Sequence, residues 1–168
     1  MSNYYLVMTV DDLTDYGMYR MDDAEIRDFL SSQGVGVLGL PSDGAPSLRP
    51  MSFGYDGDDA VYMLYVVGAE SRKAELSDRA GVARFLVYSA ETAFNWRSVL
   101  LTGRIERVAD DDLGTLPERV ELPWQPDLFR RAVAEERTAL YRLHVTDRSG
   151  IKHLGLPPAF EAADEGDA

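Results

Sequence analysis

The chain has no cysteine. That excludes disulfides, thiolate metal sites and cysteine nucleophiles, and it suits a reducing interior. There are two histidines, His144 and His153, so a zinc or haem site would have to use both or draw on carboxylates. Lysine is nearly missing: 15 of the 17 basic residues are arginine, and only Lys73 and Lys152 depart from this. No apolar run reaches the ~18 residues that cross a bilayer; residues 60–69 come to about half of that. Residues 1–12 show neither a basic head nor a small-residue cleavage site, so no signal peptide is expected and the expected location is cytoplasmic.

What is abundant is acid. The 168 residues carry 29 acids, 18 of them aspartate, for a formal net charge of -12. Phosphate backbones and anionic lipid surfaces would repel such a chain, so neither nucleic acid nor membrane is an expected partner. An acid-rich, lysine-poor surface holds water well and tolerates strong screening, which predicts a halophilic, salt-rich cytosol. With 45% hydrophobic residues, the chain can bury a core of ordinary size as a single domain.

Residues 1–21 show no period and are expected to form a loose arm. Asp22 reads as an N-cap, with Glu25 in capping-box position and Ile26, Phe29 and Leu30 on one helical face. Gly34 is expected to end that helix in a left-handed conformation. Short strands follow: 35–40, 47–55 after the turn 41–46, and 60–67 after the hairpin turn 56–59. A short helix over 70–78, with Ala74 and Leu76 turned inward, leads to strands 82–88 and 96–108. Pro117, Pro123 and Pro126 divide 110–137 into short helices, and 138–146 alternates as a sixth strand. The acidic end, 156–168, is expected to be a disordered tail. Six strands joined mostly by short connections predict a mainly β domain over 22–155, an antiparallel split β-barrel with flanking helices.

Some motifs are decoys. Gly34-Val35-Gly36-Val37-Leu38-Gly39 fits the dinucleotide fingerprint, but that fingerprint needs a strand before its glycines and a helix after them, and here the order is reversed. Glycines easing a curved barrel strand explain it better. Asp56-Gly57-Asp58-Asp59 has Val67 where a calcium loop needs its bidentate glutamate. No nucleophile elbow occurs.

Ser71-Arg72-Lys73 is different. Cations in the first turn of a helix oppose its dipole, unless an anion joins them there. A phosphate at that position would collect backbone N–H groups, the Ser71 hydroxyl, the Arg72 fork and the Lys73 ammonium. In the alternative, Ser71 only caps the helix while Arg72 and Lys73 pair with Glu70, Glu75 or Asp78.

Taken with Arg49-Pro50-Met51-Ser52-Phe53, Val61-Tyr62-Met63-Leu64-Tyr65, residues 84–88 and the strand 96–108, this motif resembles the pyridoxamine 5'-phosphate oxidase-like flavoproteins. The small microbial branch that includes nitroimidazole-reductase-like proteins is the most similar, over about residues 20–155. The resemblance implies a six-stranded split barrel, a homodimer, and FMN in a groove between the subunits. It places Ser71, Arg72 and Lys73 on the FMN phosphate and the strand of Arg49, Pro50, Met51 and Ser52 along the flavin. Leu64 and Tyr65 would pack beneath it, Ser98 would be a polar partner, and Lys152 would approach the same site. Phe53, Tyr65 and Trp96 are candidates to wall the ring, or else core and dimer contacts. Gly54 stands where the oxidase itself has a substrate-binding lysine, and its C-terminal tryptophan–arginine segment has no counterpart here. The expected function is therefore an FMN-binding oxidoreductase on a small reducible organic molecule, rather than pyridoxamine phosphate oxidation. The alternatives are an F420-dependent reductase on the same barrel, a non-catalytic flavin or haem carrier, or an empty scaffold for a protein partner.

Overall fold

A computed structural model describes residues 10–67, 71–109 and 138–155. The expected helices of 110–137 and the acidic tail lie outside them. A 3-10 helix, Val10–Tyr16, leads into β1 (Met18–Arg20), and α1 spans Asp23–Ser32. Next come β2 (Val35–Leu40), β3 (Ser47–Ser52), β4 (Gly54–Tyr55) and β5 (Ala60–Val66). The helix α2 (Arg72–Arg79) precedes β6 (Ala83–Thr92), β7 (Asn95–Arg107) and β8 (Thr138–Leu154).

The strands form one antiparallel sheet in the order β3-β2-β6-β7-β8-β5-β4, with β1 also paired to β8. Its two end strands, β3 and β4, are separated in sequence by Phe53 alone, so the sheet has to curl until its ends meet. That is the split barrel, with eight strands among the described residues rather than six.

The interior is lined by alternate residues of each strand, as a two-residue period requires. Leu38, Leu40, Phe53, Val61, Met63, Tyr65, Phe85, Val87, Val99, Leu101 and Leu143 are all buried. Gly36 is fixed by close approach: a Cβ there would lie 2.5 Å from the Phe85 ring and 2.8 Å from the Leu86 carbonyl oxygen. Of the fingerprint-like glycines, Gly36 therefore serves β2–β6 packing. Gly103 sits at a β-bulge against β8, where a Cβ would run into the His144 backbone.

The capping box of α1 forms as expected: the Asp22 carboxylate accepts from the Glu25 N–H at 2.8 Å, and Glu25 accepts from the Asp22 N–H at 3.1 Å. Ile26, Phe29 and Leu30 are buried beneath it. Four expectations need correction. Gly34 is not left-handed; α1 ends through an extended Gln33 and runs straight into β2. The expected strand 47–55 breaks at Phe53, whose N–H turns to the Gly34 carbonyl at 3.0 Å while its ring packs edge-on against Phe85. Residues 18–20 of the supposed arm pair with residues 151–153. Finally, β8 runs eight residues past 146, because β7 is long enough to pair with all of it.

Candidate functional site

The α2 N-terminus is built much as its sequence suggests. Ser71 is the N-cap, its Oγ accepting from the Ala74 N–H at 3.4 Å. Arg72 is exposed and lies 3.8 Å from Glu75, which also takes Arg79 at 3.2 Å. Lys73 behaves otherwise. Its Nζ is 3.7 Å from Met51 Sδ and 4.2 Å from the centre of the Tyr65 ring. No carboxylate among the described residues lies within ion-pair distance of it. Burial, and then the charge of Arg49, hold its ammonium pKa below the usual lysine value. Of the charged groups, it is Arg49 of β3 whose field reaches Lys73 of α2, cation on cation in a strongly acidic chain.

A rigid support lies under this pair. The Tyr65 ring stacks on Tyr141 with centroids 4.1 Å apart. Tyr65 Oη and Ser77 Oγ share a hydrogen bond at 2.8 Å, and Tyr141 donates to Asp78 Oδ1 at 2.7 Å. Burial pushes the Tyr65 hydroxyl up to about 12, and burial followed by the bond to Asp78 pushes Tyr141 upward too. Both phenols stay neutral, and each fastens α2 to the sheet. Ser77, Asp78 and Tyr141 are the residues the sequence reading missed. Tyr141 and Asp78 are 63 positions apart, and no local signal joins them.

Arg49, Met51, Tyr65, Ser71, Arg72 and Lys73 thus gather around one helix end, with Pro50 and Ser52 alongside on the edge strand β3. Leu64 faces the other side of β5, packing near Ala60, Tyr62 and Leu140, because successive residues of a strand alternate. Phe53 is wholly buried in the core, edge-on against Phe85. Ser98 lies on β7, opposite Tyr88 and Ile151, with no hydrogen bond to the α2 cluster. Lys152 is ion-paired with Glu25 of α1. It lines a separate cavity of about 350 Å³ with Phe29, Arg97 and Leu154. Trp96 is half-buried, 6.0 Å from the ring of His153. Among the described residues no helix is long and apolar enough to cross a membrane, and no group of three or more His, Asp or Glu side chains is arranged to hold a metal.

Comparisons with solved structures agree with the barrel. A FAD-binding protein from Mesorhizobium loti is 18% identical, with 80% of this chain and 97% of that one aligned and a TM-score of 0.63. A FAD and heme binding protein from Mycobacterium smegmatis is 20% identical over 90% of this chain and 82% of that one, at a TM-score of 0.63. A candidate 5-nitroimidazole antibiotic resistance protein from Bacteroides thetaiotaomicron is 19% identical over 81% and 89%, at 0.61. No curated protein matches the chain in sequence. A family model described as pyridoxamine 5'-phosphate oxidase matches residues 22–152, from the cap of α1 to Lys152. By that match, which takes in the barrel and the α2 cluster, the chain belongs to the pyridoxamine 5'-phosphate oxidase family.

Proposed function

We propose that the chain binds a flavin mononucleotide through the α2 cluster and works as a flavin-dependent oxidoreductase on a small reducible organic molecule. The observation that carries this is the charge arrangement. Lys73 has no carboxylate within ion-pair distance among the described residues, feels the charge of Arg49, and stands at a helix entrance capped by Ser71. Like charges held together cost free energy, and a phosphate dianion removes that cost while accepting from the helix N–H groups. The residues fit such a group: Ser71, Arg72 and Lys73 open the helix, and the charge of Arg49 reaches Lys73 from β3. Similarity to FAD-binding barrels supports a flavin as the class of ligand.

A bound flavin would supply the hydride and electron chemistry, which leaves the chain to bind and orient it. Ser71, Arg72, Lys73 and Arg49 would hold the phosphate. The unpaired outer edge of β3, at Arg49, Met51 and Ser52, would offer backbone groups to a planar ring system. Stacked Tyr65 and Tyr141 would keep Lys73 in place. Ser98 and Lys152 lie away from this cluster within one subunit, and in a homodimer they would reach the site of the partner subunit. Gly54, buried at the start of β4, offers no side chain for the phosphorylated amine that the family name implies.

Purification in high salt, followed by absorption spectroscopy and mass analysis of the released chromophore, tests the reading. A flavin band with the mass of FMN is the expected result. A deazaflavin spectrum would move the assignment to F420, a Soret band to haem, and failure to take up added FMN would overturn it.

A further inference from the structure

Side chains alternate along β7, so Arg97 and Val99 share one side of the sheet while Ser98 takes the other. In register, Lys152 pairs with Arg97 and Gly150 with Val99. At Gly150 the sheet is tight against what covers it: a Cβ there would lie 2.9 Å from Ile26 of α1 and from Met21 just before it. Further along β8, helix and sheet enclose a cavity of about 350 Å³. The helix lines it with Glu25, Asp28, Phe29 and Ser32, the i, i+3, i+4, i+7 spacing of one face. The sheet contributes Arg97, Lys152 and Leu154. Several of these polar groups are already engaged. Glu25 accepts from the Asp22 N–H with one oxygen and pairs with Lys152 through the other, and the Ser32 hydroxyl donates to the Phe29 carbonyl at 2.7 Å. Arg97 and Asp28 remain. Both are open to solvent, and among the described residues neither side chain forms an ion pair or a hydrogen bond. One guanidinium from the sheet and one carboxylate from the helix thus line the same cavity without closing on each other.

We propose that this cavity binds a small zwitterion, an α-amino acid with an apolar side chain, whose carboxylate takes Arg97 and whose ammonium takes Asp28. A guanidinium offers parallel N–H donors that match a carboxylate. The apolar side chain would rest on Phe29 and Met21, both buried, and on Leu154. Mixed charge in the lining is what selects the ligand. A simple anion would meet the repulsion of Asp28 and Glu25, and a simple cation that of Arg97 and Lys152, whereas a molecule carrying both charges satisfies each wall. Ligand pockets run from about 300 to 1,000 Å³, so a cavity at the lower end suits a molecule as small as an amino acid. The site lies on the side of β7 opposite Ser98 and apart from the α2 cluster. It goes beyond the flavin assignment and does not rest on it.

The test titrates the full chain with leucine, followed by calorimetry and by the NMR signals of the Arg97 side-chain N–H and the α1 amides. Isocaproate, which lacks the ammonium, and isoamylamine, which lacks the carboxylate, serve as half-ligands. Leucine should bind roughly tenfold or more tightly than either, the worth of one charge-assisted contact. Arg97→Gln and Asp28→Asn should each remove that advantage. Both changes fall on exposed side chains, so thermal unfolding without ligand should stay where it is and show that the fold is kept. A half-ligand that binds as well as leucine, leucine affinity undiminished in both variants, or no response to millimolar leucine would each overturn the proposal. FMN titration of the same variants keeps the two readings apart. Leucine binding lost with FMN affinity unchanged upholds a separate site, and leucine binding in a chain that takes no FMN upholds it while removing the flavin. A parallel loss of both ligands in the variants would assign the cavity to the flavin and overturn the proposal.

Discussion

Lys73 and Lys152 sit at opposite electrostatic extremes of one small barrel. Lys152 closes the joint between α1 and β8 through Glu25, and Glu25 is itself part of the capping box. Lys73 has an arginine, a sulfur atom and a π face around it. An ion pair completed within the chain serves the fold, whereas a cation with no carboxylate partner among the described residues suits an external anion. Of the pairings that the Ser71-Arg72-Lys73 motif allowed, those with Glu70 lie outside the described residues. Arg72 does lean on Glu75, while Lys73 pairs with neither Glu75 nor Asp78.

The contrast breaks most visibly if both lysines affect the same property. The double change Arg49→Ala and Lys73→Ala removes two charge-assisted contacts of about 1.5–3 kcal/mol each, so FMN affinity should fall roughly 100- to 10,000-fold. Isothermal titration would record it, with little change in thermal unfolding. Lys152→Met should do the reverse. It keeps the apolar stem but strands Glu25, lowering stability by about 1–2 kcal/mol, below the fully buried case because Glu25 is 40% exposed. Urea denaturation measures that loss, and an equal loss from Lys73→Met would erase the distinction.

Tyr141→Phe tests the support beneath Lys73. Losing the bond to Asp78 should cost about 1 kcal/mol of stability and weaken FMN modestly, whereas Phe at 65 should loosen only the link to Ser77. The smallest effect is in the pH dependence. The hydrogen bond from Lys152 holds the Glu25 carboxyl below the ordinary carboxylate range. Its folded pKa is thus depressed, so its contribution is complete above about pH 4–5 and is lost as pH falls through the folded value. The stability gap between the parent and Lys152→Met should close in that acid range. Lys73 has the opposite sign. Its lowered folded pKa penalises the charged form, and the penalty fades as pH rises toward the ordinary lysine range. Lys73→Met should therefore gain on the order of 0.5 kcal/mol near neutrality, read from the same urea curves.

Much of this was legible before any coordinates. The capping box at Asp22 and Glu25, the turn at 56–59 closed by the Asp56 carboxylate on the N–H groups of Asp58 and Ala60, and the Ser71 cap all follow from residues within four positions of one another. The break at Phe53 and the run of β8 to Leu154 were not legible. The first depends on where Phe85 lies across the barrel, the second on the length of a partner strand. The site divides in the same way. Its residue types and its helix end could be read directly, but that Leu64 packs with Ala60, Tyr62 and Leu140 and that Lys152 pairs with Glu25 depends on which face each strand turns inward.

The sequence by itself determined the β-rich class, the helix that opens on two cations, and a chemistry without thiols, because these depend on composition, short-range periodicity and capping. Only the tertiary structure decided which lysine is neutralised by a carboxylate and which has none beside it among the described residues. That depends on the charge of Arg49 reaching Lys73 from a strand 24 positions earlier, and on Glu25 and Lys152 meeting across 127, and electrostatic energy depends on distance in space rather than along the chain.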